Sequence, residues 1–127
     1  MDWEQSGTVA VWVGDFPSRD EFESYLQEQI GEDLDIEKPI NRFAADIGFG
    51  FYDHDRQEAE RFDDALPVGE LIAPFSNSVS FVSEATESAA QKGITKADTA
   101  ILLFDCNYRQ TTLQDAPIRF IGNFSYE

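Results

Sequence analysis

The stretch Thr8-Val9-Ala10-Val11-Trp12-Val13-Gly14 is β-branched or aromatic at most positions and nearly all apolar. A strand with one wet face alternates apolar with polar side chains, and this one does not alternate. It therefore reads as a strand covered on both faces. A sheet built on such a strand needs a layer of packed elements on each side. The run Thr99-Ala100-Ile101-Leu102-Leu103-Phe104 has the same continuous apolar character and is read as a central strand. The last strand is Ile118-Arg119-Phe120-Ile121-Gly122-Asn123-Phe124. The short connection before it suits an antiparallel hairpin with the strand at 99–104, since a parallel neighbour needs a longer crossover.

The covering layers are visible as helices. Ser18-Arg19-Asp20-Glu21 has the S-x-x-E form of a capping box, and Phe22, Tyr25, Leu26 and Ile30 follow at helical spacing, with Gly31 as the stop. A second helix spans residues 78–92, with Phe81, Val82, Ala85 and Ala89 on one face and Gly93 closing it. Pro39 can open a short helix carrying Phe43 and Ile47. The segment 66–72 holds turn signals and a possible helical turn. Residues 53–64 are too polar for a buried element, although Glu58-Ala59-Glu60-Arg61-Phe62 can form a strand. These elements make one acidic α/β domain over residues 1–127, a sandwich in which helices pack on a three- or four-stranded mixed sheet.

Charge sets the function classes. The chain carries 25 acidic and 9 basic side chains, a net charge of −16. Eleven Phe, four Tyr and two Trp argue for a folded protein rather than an acidic disordered tail. The carboxylates must therefore lie on its surface, because a buried unpaired charge is very costly. Such a surface attracts cationic partners, and a high-salt source would give the same balance with no binding role. Nine dispersed basic residues do not make the cluster that phosphate contacts need, so neither nucleic acid nor an anionic membrane is an expected partner. No apolar run approaches the roughly 20 residues of a spanning helix. The N-terminus lacks the basic start and apolar core of a secretory signal, so a cytoplasmic location is expected.

Signatures of catalysis are missing: the sequence has no GxGxxG, P-loop, GxSxG or HExxH. The single histidine, in Asp53-His54-Asp55, has only its neighbours as possible co-ligands, and it reads as a solvated loop residue rather than a metal site. The single cysteine, Cys106, closes an apolar strand with no histidine nearby in sequence, so it reads as a buried structural residue. The chain is expected to be a non-enzyme without cofactor or metal.

Its charge is concentrated between residues 15 and 64, where 16 acidic and 5 basic side chains fall. Within that segment Phe49, Phe51 and Tyr52 adjoin Asp46, Asp53 and Asp55, the pattern of an aromatic anchor with a charged steering rim. Phe49 and Phe51 suit a core equally well, whereas Tyr52 is placed in the interface. The expected partner-binding residues are Asp46, Tyr52, Asp53, Asp55, Glu58, Glu60, Asp63 and Asp64. Glu32, Asp33 and Asp35 form a second patch.

Three segments together carry a family resemblance. They are Trp12-Val13-Gly14 followed by Asp20-Glu21-Phe22-Glu23-Ser24-Tyr25-Leu26, then Phe43-Ala44-Ala45-Asp46-Ile47-Gly48 leading into Phe51-Tyr52-Asp53-His54-Asp55. The third is the C-terminal half, with Gly93-Ile94, the strand Ala100-Ile101-Leu102-Leu103-Phe104-Asp105 and Phe120-Ile121-Gly122-Asn123-Phe124. In order and spacing, from about Val9 to Tyr126, the chain resembles the immunity 22 family of bacterial polymorphic-toxin systems. The resemblance implies a protein that binds and neutralises a co-encoded toxin, often a nuclease with a basic substrate surface. The alternatives are an acidic adaptor or regulatory domain that binds a basic host protein, and a small carboxylate-dependent hydrolase.

Overall fold

The computed structural model describes residues 4–27, 39–49, 52 and 54–127. Four strands, β1 (Glu4–Gly14), β2 (Gln57–Pro67), β3 (Lys96–Cys106) and β4 (Ile118–Ser125), form one sheet in the order β2-β3-β1-β4. The two apolar runs are its inner strands. Their side chains alternate between two cores, so both faces are dry. Val9, Val11, Val13, Ala100 and Leu102 point to one face, and Ala10, Trp12, Ile101 and Leu103 to the other.

On the first face lie α3 (Val68–Ile72) and α4 (Val82–Gln91). Helix α4 turns Ala85 and Ala89 inward, and these small side chains let it sit close to the sheet, with Phe81 filling the space beside them. On the second face lie α1 (Arg19–Leu26) and α2 (Arg42–Ile47), which bury Phe22, Tyr25, Phe43 and Ile47 around Trp12. The Trp12 ring meets Phe43 edge-on at 5.2 Å and Tyr108 at 4.8 Å, and its indole N–H donates to Thr112 at 3.0 Å. A large ring with one donor is held here with that donor satisfied.

The helix starts follow their caps. Ser18 accepts from the Glu21 amide at 3.2 Å, and Asn41 accepts from the Ala44 amide at 2.7 Å. Helix α2 begins at Arg42 behind Asn41 rather than at Pro39, and ends on Gly48 in the left-handed conformation (φ 79°). Helix α1 ends at Leu26; Ile30 and Gly31 lie outside the described residues.

Two expectations about the sheet are corrected. It is antiparallel in all three pairings rather than mixed. β3 and β4 are also not a hairpin, because β1 lies between them. The reason is the direction of β1: Cys106 at the end of β3 pairs with Glu4, while Ile118 at the start of β4 pairs with Gly14. The connection 107–117 must therefore travel back along β1 before β4 can begin. It does so across the second face, where Tyr108 donates to the Ile47 carbonyl at 2.7 Å and the Leu113 amide to the Asp46 carbonyl at 2.8 Å. At its far end the chain passes so close to Gly14 that a β-carbon there would lie 2.2 Å from the Pro117 carbonyl oxygen. Only glycine fits that crossing.

Candidate protein-binding site

The polar segment 53–64 folds as an edge strand, β2, preceded by a 3-10 turn at His54–Arg56. An edge tolerates charge because its outer side stays in water. Ala59 packs toward the α1 face and Phe62 toward the opposite core, while Glu58 and Glu60 occupy the alternate positions.

Helix α1 projects past this edge. Burying Phe22 and Tyr25 turns Asp20, Glu21 and Glu23 to solvent. On the other side of the sheet, Pro74 and Phe75 follow α3. Between these two walls runs an open groove of about 1120 Å³ floored by Gln57, Glu58, Ala59 and Glu60. Among the described residues its charged lining is Asp20, Glu23, Glu58 and Glu60, all of one sign. A smaller cleft of about 530 Å³ lies on the other flank of α1, lined among the described residues by Asp15, Asp20, Glu21 and Asp46 against a single cation, Arg42. Helix α1 is thus a ridge between two carboxylate-lined clefts.

Several bonds fix the carboxylates in place. Arg19 spans the edge, donating to the Arg61 carbonyl at 2.8 Å and to Glu60 at 3.4 Å. Glu58 accepts from the Ser76 amide at 3.0 Å. Asp46 accepts from the Tyr25 hydroxyl at 2.6 Å, and burial together with that bond pushes the Tyr25 ionisation well above the usual phenol range. Asp15 and Asp98 cross-brace the strand ends, accepting from the Asp98 and Phe16 amides at 3.1 Å each.

Of the expected binding residues, the structure gathers Glu58 and Glu60 in the large groove and Asp46 in the smaller cleft. Asp55 is exposed on the 3-10 turn, and Asp63 and Asp64 are exposed where β2 bulges between Arg61 and Leu66, outside the lining of either cleft. Asp53, Glu32, Asp33 and Asp35 lie outside the described residues, as do Phe51 and the side chain of His54.

Tyr52 is a correction. It is 1% exposed and packs edge-on against Phe43 at 5.6 Å, with its hydroxyl accepting from Asn41 at 2.8 Å and donating to Gln57. Flanking acids made it look like an interface anchor, but its ring fills the second core, and its polar tip finds partners inside. Phe49 is buried as well, against Tyr108. Asp20 and Glu23 also line the large groove and were not among the expected residues. The available signal was three acids on the wet face of one eight-residue helix.

Cys106 is a buried free thiol, pushed up to about 12 by desolvation. Among the described residues no group of three or more His, Cys, Asp or Glu could hold a metal ion, and no helix is long and apolar enough to cross a membrane.

In comparison with known families, the model of the family described as Immunity protein 22 matches residues 9–127. The chain belongs to that family. Neither the comparison with curated proteins nor that with solved structures gives a match.

Proposed function

We propose that this member of the immunity protein 22 family neutralises the toxin encoded beside it by binding it directly, without catalysis or cofactor, in the cytoplasm. The observation that carries this reading is the ridge of α1 between two clefts lined by carboxylates. Such a surface matches a basic protein, and the nuclease-like toxins have basic substrate-binding clefts. Long-range attraction by a net charge of −16 raises the encounter rate with a cation, by ~10–1000-fold where charge is focused. Packed contacts in the grooves then hold the complex. Glu58, Glu60 and Asp46 are the expected contact residues that face these clefts, and Asp20 and Glu23 join them. Asp55, Asp63 and Asp64 extend the acidic field along β2 and its approach.

Co-expression tests this reading. Cells that make the toxin domain encoded beside the gene should survive only when the immunity chain is present, and the two proteins should co-purify as a stoichiometric complex. Survival without a detectable complex would overturn direct binding, and failure to protect would overturn the immunity role.

A further inference from the structure

The free edge of β2 is aimed into the larger groove. Among the described residues β2 pairs with β3 alone, and the groove floor is the four consecutive residues Gln57, Glu58, Ala59 and Glu60. Which amides face outward follows from the ladder. The Arg61 carbonyl is turned away from β3, toward Arg19 at 2.8 Å. In an antiparallel strand, residues two apart present their N–H and C=O groups to the same side. Ala59 and Gln57, two and four residues earlier, therefore point their backbone groups into the groove. The pairing of the inner strands agrees. Asp15 donates to the Pro117 carbonyl just beyond the Gly14–Ile118 pair, so Gly14 bonds toward Thr99, leaving the Thr99–Arg61 pair without ladder bonds. Among the described residues nothing bonds the outward backbone groups of Ala59 or Gln57.

We infer that this edge takes up an extended segment of a protein partner as a fifth strand, and that the segment is rich in Lys and Arg. The inference rests on the proposed toxin-binding role and names how that partner is held. Strand addition supplies main-chain hydrogen bonds, and side chains on the walls supply the selection. Here the selection is by charge. An incoming strand presents alternate side chains to the two faces. On one it meets Glu58 and Glu60, and on the other Asp20 and Glu23. Both sets of positions are therefore matched by cations. The open stretch spans four residues, about 13 Å of strand. Arg19 closes it at one end by occupying the Arg61 carbonyl. A second copy of this chain is a poor occupant, because edge-to-edge pairing would set Glu58 and Glu60 against acids of the same sign on a protein of net charge −16.

The test uses the full chain and a defined probe, an acetylated and amidated heptapeptide of Lys alone, which presents cations to both faces. On binding, amide hydrogen exchange at Gln57 and Ala59 should slow by roughly tenfold or more, while the corresponding heptapeptide of Glu should not bind. Ala59→Pro removes an outward N–H that the fold does not use, a change that edge strands tolerate. It should weaken the Lys peptide by about tenfold or more, since a hydrogen bond is lost and the ring blocks the ladder. The melting temperature of that variant checks its fold; if it unfolds, exchange on the unmodified chain decides alone. No binding at millimolar peptide, binding without protection of these two amides, or equal binding by a folded Ala59→Pro chain would each overturn strand addition. Those outcomes leave toxin neutralisation to be judged by co-expression, and a failed co-expression leaves the peptide result intact.

Discussion

Tyr25 on α1 donates its hydroxyl to Asp46 on α2 at 2.6 Å, so a buried ring and a cleft carboxylate hold the two helices of one face together. A hydrogen bond to a charged acceptor contributes more than a neutral one. Tyr25→Phe should cost about 1.5–3 kcal/mol, which urea titration will measure. An unchanged unfolding midpoint would show that the bond contributes nothing beyond what water supplies.

Alkaline pH should destabilise the protein. Tyr25, Cys106 and Tyr126 all hold their protons above ordinary values. Burial acts first on Tyr25 and Cys106, and the bond to Asp105 acts first on Tyr126, pushed up to about 12. Groups with raised folded-state values favour the native state while protonated, so their contribution is complete below the unfolded values of 9.0 for the thiol and 10.0 for the phenols. It is lost as pH rises from there toward 12. Urea midpoints should fall between pH 9 and 11, and Cys106→Ala should flatten the start of that fall. Midpoints constant across this range would contradict the burial assigned to these groups.

Asp105 ties three chain segments together, accepting from the Gly7 amide at 3.0 Å and from the Tyr126 hydroxyl while its own backbone is left-handed at φ 56°. Asp tolerates that conformation better than Ala. Asp105→Ala should therefore destabilise by about 1–3 kcal/mol, from lost bonds and backbone strain together. The Tyr126 bond, with help from Gly7, lowers the Asp105 carboxyl below 3.8, so its contribution is present above that value and is lost as pH falls beneath it. Acid titration of the two chains should converge if this account holds, and parallel curves would contradict it.

The core offers a graded check. Ser18→Ala should cost about 1 kcal/mol through the cap on α1. Leu102→Ala, fully buried in an inner strand, should cost about 2–5 kcal/mol. Tyr52→Ala should lower stability on the scale of other buried aromatic truncations, about 3–5 kcal/mol. A Tyr52→Ala chain of normal stability but impaired toxin binding would restore it to the interface.

Much of the fold was legible because local chemistry and tertiary structure agree. Ser18 caps where its motif says, Leu102 sits in a doubly covered strand, and the strand read near Phe62 is the charged edge. What was not legible depends on the path of the chain between elements. The eleven residues from 107 to 117 are short enough for a hairpin loop, and only the position of β1 turns them into a return across the sheet. Tyr52 failed for a related reason: its sequence neighbours are acids, but its spatial neighbours are Phe43 and Asn41. Glu58, Glu60 and Asp46 were singled out by charge density alone. The two clefts that they line needed α1, whose acids are far away in sequence and read there only as a solvated helix face.

The measurement that tests the account most directly is association of the chain with its co-encoded toxin at two salt concentrations. Reversing Asp20, Glu23, Glu58 and Glu60 to Lys should slow association about tenfold or more, and raising salt should slow the unmodified chain in the same way. Reversing Glu70, Glu84, Glu87 and Glu127, all exposed but outside the groove, changes net charge equally and should slow association much less. Melting temperatures would confirm that both sets fold. Slow binding confined to the first set is the predicted result. Equal slowing by both sets would reduce the groove to a contributor to overall charge and contradict its assignment as the docking site.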